Sequence, residues 1–461
     1  KLGYMFWRFL VMIFTFLLSA MFLLKFYTDV MGVSAALVGL MMMAARFVDA
    51  ITDVTMGQIV DRSRPGKKGK FAPWIRRMCG PVAVASFLMY ATYFKGMPMG
   101  FKIFWMFFTY LLWGSVCYTG VNIPYGSMAS AISDNPTDRT SLSNWRTIGA
   151  TLAQTAIGVI LPLVVYYTDA AGNSVLSGEK MMIGALICSI GAVICYMLCY
   201  HMTTERVKVE QNTQKFSFKE LIKQLVHNKS LIGIIVCALV FLLAQLSLSN
   251  MNAYVYPNYF GNIKAMSIAS LAGTVVILAL STFIVKLASK IGKKELSMIG
   301  CFISAASFIL LFIIHTHNVL VWVGLIIVAT IGTSMFNMVI WAMITDVIDE
   351  SKVQTGVRQD GTIYSVYSFA RKLGQACSSG LSGVLLSIIG YTSVTAFDPK
   401  VVDGIYNITC LVPAGGMILL LLCFYVSYIL LIRRELKRMQ RSLESSEMKN
   451  KIIIQIIIQN Y

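Results

Sequence analysis

The chain has 461 residues, of which 57% are hydrophobic and only 13% charged. Apolar runs of about 20 residues recur along it, a balance that excludes an ordinary soluble domain and places it among polytopic helical membrane proteins. The net charge of +18 is tested first against the positive-inside bias of membrane loops, before any nucleic acid is invoked.

Length and periodicity predict twelve spans, near residues 4–28, 34–60, 73–95, 101–131, 145–168 and 181–203, then 229–256, 263–286, 295–316, 318–347, 362–390 and 405–432. The first run is long enough to span and many others follow it, so it reads as a helix and not as a signal peptide. The chain starts at Lys1 without a Met, so some leading residues are expected to be missing. One long polar stretch, TTERVKVEQNTQKFSFKELIKQLVHNK, separates the sixth span from the seventh. The predicted organisation is therefore a six-helix bundle over 1–203, a central cytoplasmic loop over 204–228, a second six-helix bundle over 229–432 and a charged cytoplasmic tail over 433–461. The closing IIIQIIIQ is too short to span.

Of the 39 Lys and Arg, only Lys95, Lys102, Lys180, Lys264 and Lys400 fall in loops after odd-numbered spans, and Arg8, Lys25, Arg46, Arg371 and Lys372 fall within spans. The rest gather on the other side. This orients both termini to the cytoplasm and accounts for most of the positive charge. The loops after spans 2 and 8, GQIVDRSRPGKKGK and KLASKIGKKE, are both short, basic and Gly-containing. Such a loop recurs across transporters of the major facilitator fold, whose halves pack around a midplane cavity.

Span 2 carries ARFVDAITDV. An ionisable residue at bilayer depth costs about 2.5–3.5 kcal/mol, so it persists where it faces a wet cavity, pairs with a cation or binds something. Asp49 and Asp53 are four apart and share a helix face, with Thr52 beside it and Arg46 one turn earlier. Two carboxylates and a hydroxyl concentrate hard oxygen ligands suited to Na⁺, Li⁺ or a shared proton. The competing reading is an Arg46–Asp49 pair that only neutralises itself, which leaves Asp53 unexplained.

Span 4 contains LLWGSVCYTGVNIPYGS. Trp113, Tyr118, Thr119 and Asn122 follow helical spacing, and Pro124 with Gly126 is expected to loosen the helix locally. Aromatic rings with hydroxyl and amide groups suit a sugar, and equally suit ordinary interhelical packing. Arg146, at the start of span 5, is either a cytoplasmic anchor or a cavity residue. In span 11 Lys372 either snorkels with Arg371 or reaches the central cavity opposite the span-2 acids. The ten cysteines contain no CxxC pair and the four histidines no metal-ligand spacing. No nucleophile–base set, metal motif or phosphate loop points to an enzyme, and no cofactor is expected.

Together the stretches FYTDVMGVSAALVGL, ARFVDAITDVTMG, DRSRPGKKGKFAPW, LLWG…YTGVNIPYGS and DVIDESKVQTGVRQDGTIYSVYSFARKLG resemble, in order and position, the glycoside–pentoside–hexuronide:cation symporter family. The resemblance covers nearly the whole chain. It implies an all-α membrane protein of twelve transmembrane helices with the major facilitator fold, two pseudo-symmetric six-helix bundles, and Na⁺- or H⁺-coupled uptake of a sugar or glycoside at the cytoplasmic membrane. It maps a cation site onto Asp49 and Asp53 with Thr119 close by; Thr52 stands where the family can have Asn. It maps a sugar site onto Trp113, Tyr118, Asn122, Arg146, Ser368 and Lys372. Asp61, Arg62 and Arg139 against Asp346, Asp349, Glu350 and Arg358 are the expected cytoplasmic gate.

There are departures. Galactoside-binding members carry an acid in span 1 and another in span 4, where this chain has Ile13 and Asn122. With Arg8, Arg146 and Lys372 present, an anionic hexuronide becomes the more attractive substrate. The family's Arg in the GKFRPW motif is Ala72, which predicts a weaker conformational lock. The alternatives are an uncoupled uniporter or a carrier of lipid-like amphiphiles. A receptor would need a sizeable soluble domain, and none is visible.

Overall fold

The computed structural model describes the backbone of residues 18–19, 21–66, 68–132, 151, 153–206, 229–355 and 360–425. Side chains are described there except at positions 50, 54, 61, 129–130, 229–231, 285, 341–342, 344–355 and 360–370. Among the described residues, helical segments occupy all twelve positions that hydropathy marks.

In chain order these are α1 over residues 21–30, its last turn Phe26–Val30 wound as a π-helix, α2 Ala35–Arg62 and α3 Ala72–Met89. Next comes α4, residues 99–132, a continuous rod made of Met99–Leu111, a π-helical Leu112–Tyr118 and Thr119–Ile132. The first half closes with α5 Ala153–Val165 and α6 Gly178–Met202. The second holds α7 Lys229–Tyr254, which runs on as the π-helical Val255–Tyr259, α8 Ile263–Ile291, α9 Lys293–Ile314, α10 Val319–Thr355, α11 Asp360–Ile388 and α12 Pro399–Tyr425.

Helices are the available solution here, because inside a bilayer every backbone N–H and C=O must be satisfied within its own segment. Large apolar side chains stay exposed on these helices, as at Ile51, Phe104, Phe283, Ile313 and Leu320. That surface suits lipid and would be untenable in water.

Two expectations need correcting. Span 5 does not run to residue 168: from Tyr166 the chain forms an antiparallel hairpin, β1 Tyr166–Thr168 with β2 Ser174–Leu176. Asp169 Oδ1 closes the turn by accepting the N–H groups of Ala171 and Asn173, at 2.9 and 2.8 Å. In α4, the departure from regular geometry is not at Pro124, which sits inside the α-helical Thr119–Ile132, but earlier in the rod, at Leu112–Tyr118.

The two halves meet most closely where α2 crosses α11. A Cβ on Gly39 would lie 2.6 Å from the Ser379 carbonyl oxygen, and one on Gly383 2.3 Å from that of Ala35. Only hydrogen atoms fit between these backbones, the small-residue packing that brings membrane helices together. Below this crossing the facing surfaces of α2 and α11 carry the charged groups.

Candidate functional site

The polar centre is a ladder between α2 and α4. Asp49 and Asp53 lie one turn apart on α2, and Ser115 and Thr119 lie four apart on α4. Ser115 donates to Asp49 Oδ1 at 2.6 Å, and Thr119 donates to Asp53 Oδ1 at 2.8 Å. Both rungs join residues 66 apart in sequence, so the two helices run parallel and in register at this level. The π-helical turn lies at this level, with Ser115 inside it and Thr119 just after it. It offsets the face of α4 relative to a regular helix, and such turns concentrate at functional positions. The Gly114 carbonyl oxygen accepts from the Thr119 amide and lies 3.2 Å from the Thr119 hydroxyl oxygen, whose single proton serves the shorter bond to Asp53. Gly114 also lets the helices close: a Cβ there would sit 3.4 Å from Asp49 Oδ1.

The other oxygen of each carboxylate meets a cation. Arg46 Nη1 lies 3.2 Å from Asp49 Oδ2. Lys372, on α11 of the opposite half, forms an ion pair with Asp53 Oδ2. Asp49 is buried, and Asp53 and Lys372 are partly buried. The Arg46–Asp49 pair is therefore real, and Asp53 has its own partner across the interface. The site holds two carboxylates, two hydroxyls and a backbone carbonyl around two basic side chains, a set of oxygens fit for a hard monovalent cation or a proton.

The remaining predicted residues distribute as follows. Thr52 donates 3.2 Å to the Asp49 carbonyl oxygen of its own helix, so its hydroxyl is turned to the backbone and not to the carboxylates. Trp113 is wholly buried, with ring centroids 5.7 Å from Tyr110 and 5.5 Å from Tyr118. It offers no open ring face in this form, whereas Tyr118 and Asn122 are half-buried. Arg62 is exposed at the end of α2. Asp346, Asp349 and Glu350 ride on α10, and Ser368 on α11, with side chains outside the described set, as is that of Asp61. Arg139, Arg146 and Arg358 lie outside the described residues, as do Arg8 and Ile13.

Ser115 is the residue that sequence reading missed. It sits in the quoted span-4 stretch four before Thr119, and that spacing was the available signal.

A bundle of apolar helices with paired acids held inside one half, and reached by a lysine of the other, is the construction of a membrane carrier and not of an enzyme. The chain belongs to the MFS/sugar transport protein family, whose model matches residues 3–430. The resemblance read from the ordered motifs therefore holds. The chain is 32% identical over 414 residues to the uncharacterized symporter YjmB of Bacillus subtilis, covering 88% of this chain and 87% of that one. It is 30% identical over 417 residues to the glucuronide carrier protein homolog of Escherichia coli, with coverage of 88% and 87%. The crystal structure of the nucleoside transporter NupG shares the fold, with a TM-score of 0.62 at 18% identity, covering 93% of this chain and 98% of that one. The protein is a multi-pass membrane transporter with the major facilitator fold.

Proposed function

We propose that the protein is a cation-coupled symporter of a sugar or glycoside that works by alternating access in the cytoplasmic membrane, with Na⁺ or H⁺ as the coupling ion and both termini in the cytoplasm. The observation that carries this reading is the ladder: Asp49 and Asp53, braced by Ser115 and Thr119, with Lys372 of the other half on Asp53. An arriving cation takes the place of the Lys372 ammonium at Asp53, using carboxylate and hydroxyl oxygens already in place. The released ammonium then faces the substrate. The halves 1–203 and 229–432 would rock about this point, with the loop 204–228 joining them and the tail 433–461 in the cytoplasm. Asp61, Arg62 and Arg139 would meet Asp346, Asp349, Glu350 and Arg358 at the cytoplasmic gate.

The sugar would bind between α4 and α11, at Tyr118, Asn122, Arg146, Ser368 and Lys372, with Trp113 behind Tyr118. An anionic sugar such as a hexuronide fits the released basic group best, and the Escherichia coli relative carries glucuronide in its name. Ion and sugar stabilise the same closed arrangement, so each raises the affinity of the other.

The test is accumulation of labelled glucuronide in membrane vesicles under an imposed Na⁺ or pH gradient. Asp49→Asn and Asp53→Asn are each expected to cut gradient-driven accumulation at least about tenfold, the equivalent of 1.4 kcal/mol, while the purified proteins stay folded. Undiminished accumulation in both variants would refute the role of the ladder. Uptake that ignores both gradients would mark a uniporter.

A further inference from the structure

At the end of the bundle where Gly32 turns the chain from α1 into α2, a second charged cluster is buried, remote from the ladder. Lys25 of α1 is 1% exposed. An ammonium has three protons to donate, and here it has three acceptors. Asp29 Oδ2 lies at 3.0 Å one turn along the same helix, Asn258 Oδ1 at 2.7 Å in the last turn of α7, and the Tyr391 hydroxyl at 3.0 Å between α11 and α12. The ring of Tyr254, also on α7, covers it at 4.5 Å. The cluster is closed on the acid's side too. Asp29 Oδ1 accepts from the Tyr391 hydroxyl at 2.8 Å and from Thr28 at 2.9 Å. Asn258 is fixed in turn, its amide donating to the Ala396 carbonyl oxygen at 2.9 Å.

If Lys25 served only to balance Asp29, their spacing on one helix would suffice. Instead, two of its three hydrogen-bond partners and its aromatic cover belong to the other half of the chain. The same end holds the Gly39–Gly383 crossing and a bond from the Ala36 amide to Ser387 Oγ at 2.8 Å, so it is shut. A carrier of this fold must part its halves at this end once per cycle. Parting them here removes two acceptors from a buried ammonium, and water entering the opened cleft is what can replace them. Buried, fully satisfied charge on one side and hydrated charge on the other make two discrete arrangements with little between them.

We propose that Lys25, with Asp29 of its own helix and Asn258 and Tyr391 of the opposite half, is a latch that holds this end of the transporter closed. The latch sets the balance between the form closed at this end and the form open there. It depends on the movement of the two halves, not on which ion or sugar is carried.

The test is a pulsed electron–electron distance measurement on purified protein in lipid nanodiscs. Spin labels are placed at Tyr93→Cys and Val394→Cys, exposed sites at this end of the two halves (72% and 89%), in a background with the ten native cysteines changed to alanine. The parent protein is expected to give one short distance. Lys25→Met is expected to add a second population longer by about 10 Å, roughly one helix diameter, and Tyr391→Phe a smaller share of the same population. Should Lys25→Met fail to fold, Tyr391→Phe and Asn258→Ala decide the matter, since neither strands a charge. An unchanged single distance in the folded variants would overturn the latch.

Discussion

Asp49 and Asp53 look alike in the sequence, and their surroundings make them different. Asp49 is held by a serine and by an arginine of its own helix, both from the same half. Asp53 is held by a threonine of its own half and a lysine of the other. The first is tied within its own half, whereas the second is shared between the halves. Ser115 keeps Asp49 oriented through a buried hydrogen bond to an ionised group, an interaction of about 1.5–3 kcal/mol. Ser115→Ala is therefore expected to raise the concentration of coupling ion needed for half-maximal uptake about tenfold or more, read from initial rates across a series of Na⁺ concentrations or pH values. Thr52→Val is the informative contrast. Its hydroxyl bonds to the backbone of its own helix, so the ion dependence should stay within about twofold of the parent, well under the 1.4 kcal/mol of a tenfold change. An equal loss in Thr52→Val would mean that the hydroxyl turns to the ion during the cycle.

Among the elements, α3 shows how a helix start is secured at the membrane surface. The first N–H groups of a helix have no partner inside it. Glu205, just past the end of α6, supplies one carboxylate to the first of them, Ala72 N at 2.8 Å, and to the two amides leading into the helix, Lys70 N at 2.7 Å and Phe71 N at 2.8 Å. Gly69, at φ +106°, admits the carboxylate, since a Cβ there would stand 2.2 Å from its carbon. Thus Ala72, where the family pattern has Arg, takes part through its amide and not through a side chain. Removing a charged cap costs about 1–2 kcal/mol. Glu205→Ala is expected to lower the thermal midpoint by a few degrees, measured by fluorescence of the detergent-purified protein, with Glu205→Gln losing less.

The same elements show what the sequence can and cannot carry. The spans were legible because a bilayer leaves the backbone few choices. The acids were legible because their insertion cost is conspicuous. The π-helical turn in α4 was not, since it substitutes one hydrogen-bond pattern for another without a marker residue. Ser115 was only half legible: its spacing of four from Thr119 stands in the sequence, but which face a serine takes depends on that turn. Lys25 was hidden for a different reason: its partners Asn258 and Tyr391 lie 233 and 366 residues away, and nothing local announces them.

For the molecule as a whole, in the proposed symport cycle the Lys372–Asp53 pair would be where ion binding and the movement of the halves become one event. The bond exists only while α2 and α11 are close at that depth. On that reading a cation at Asp53 would remove the need for it, and an anionic sugar near Lys372 would give the ammonium another partner. Each ligand would thereby weaken the competition that the other faces, which is a coupling free energy and must act in both directions. Lys372→Gln removes the competitor. It leaves a partly buried carboxylate without its cation, so the ion-free protein should unfold at a lower temperature, because breaking a buried pair from one side is costly. Saturating coupling ion should restore most of the loss, and half-restoration should need several-fold less ion than the parent requires. The protection given by glucuronide should fall, and the shifts given by ion and glucuronide should become independent where the parent shows mutual reinforcement. A thermal-unfolding grid of ion concentration against glucuronide concentration reads all three effects. If Lys372→Gln keeps the parent's reinforcement between ion and sugar, coupling runs through some other contact between the halves, and Lys372 is reduced to balancing the charge of Asp53.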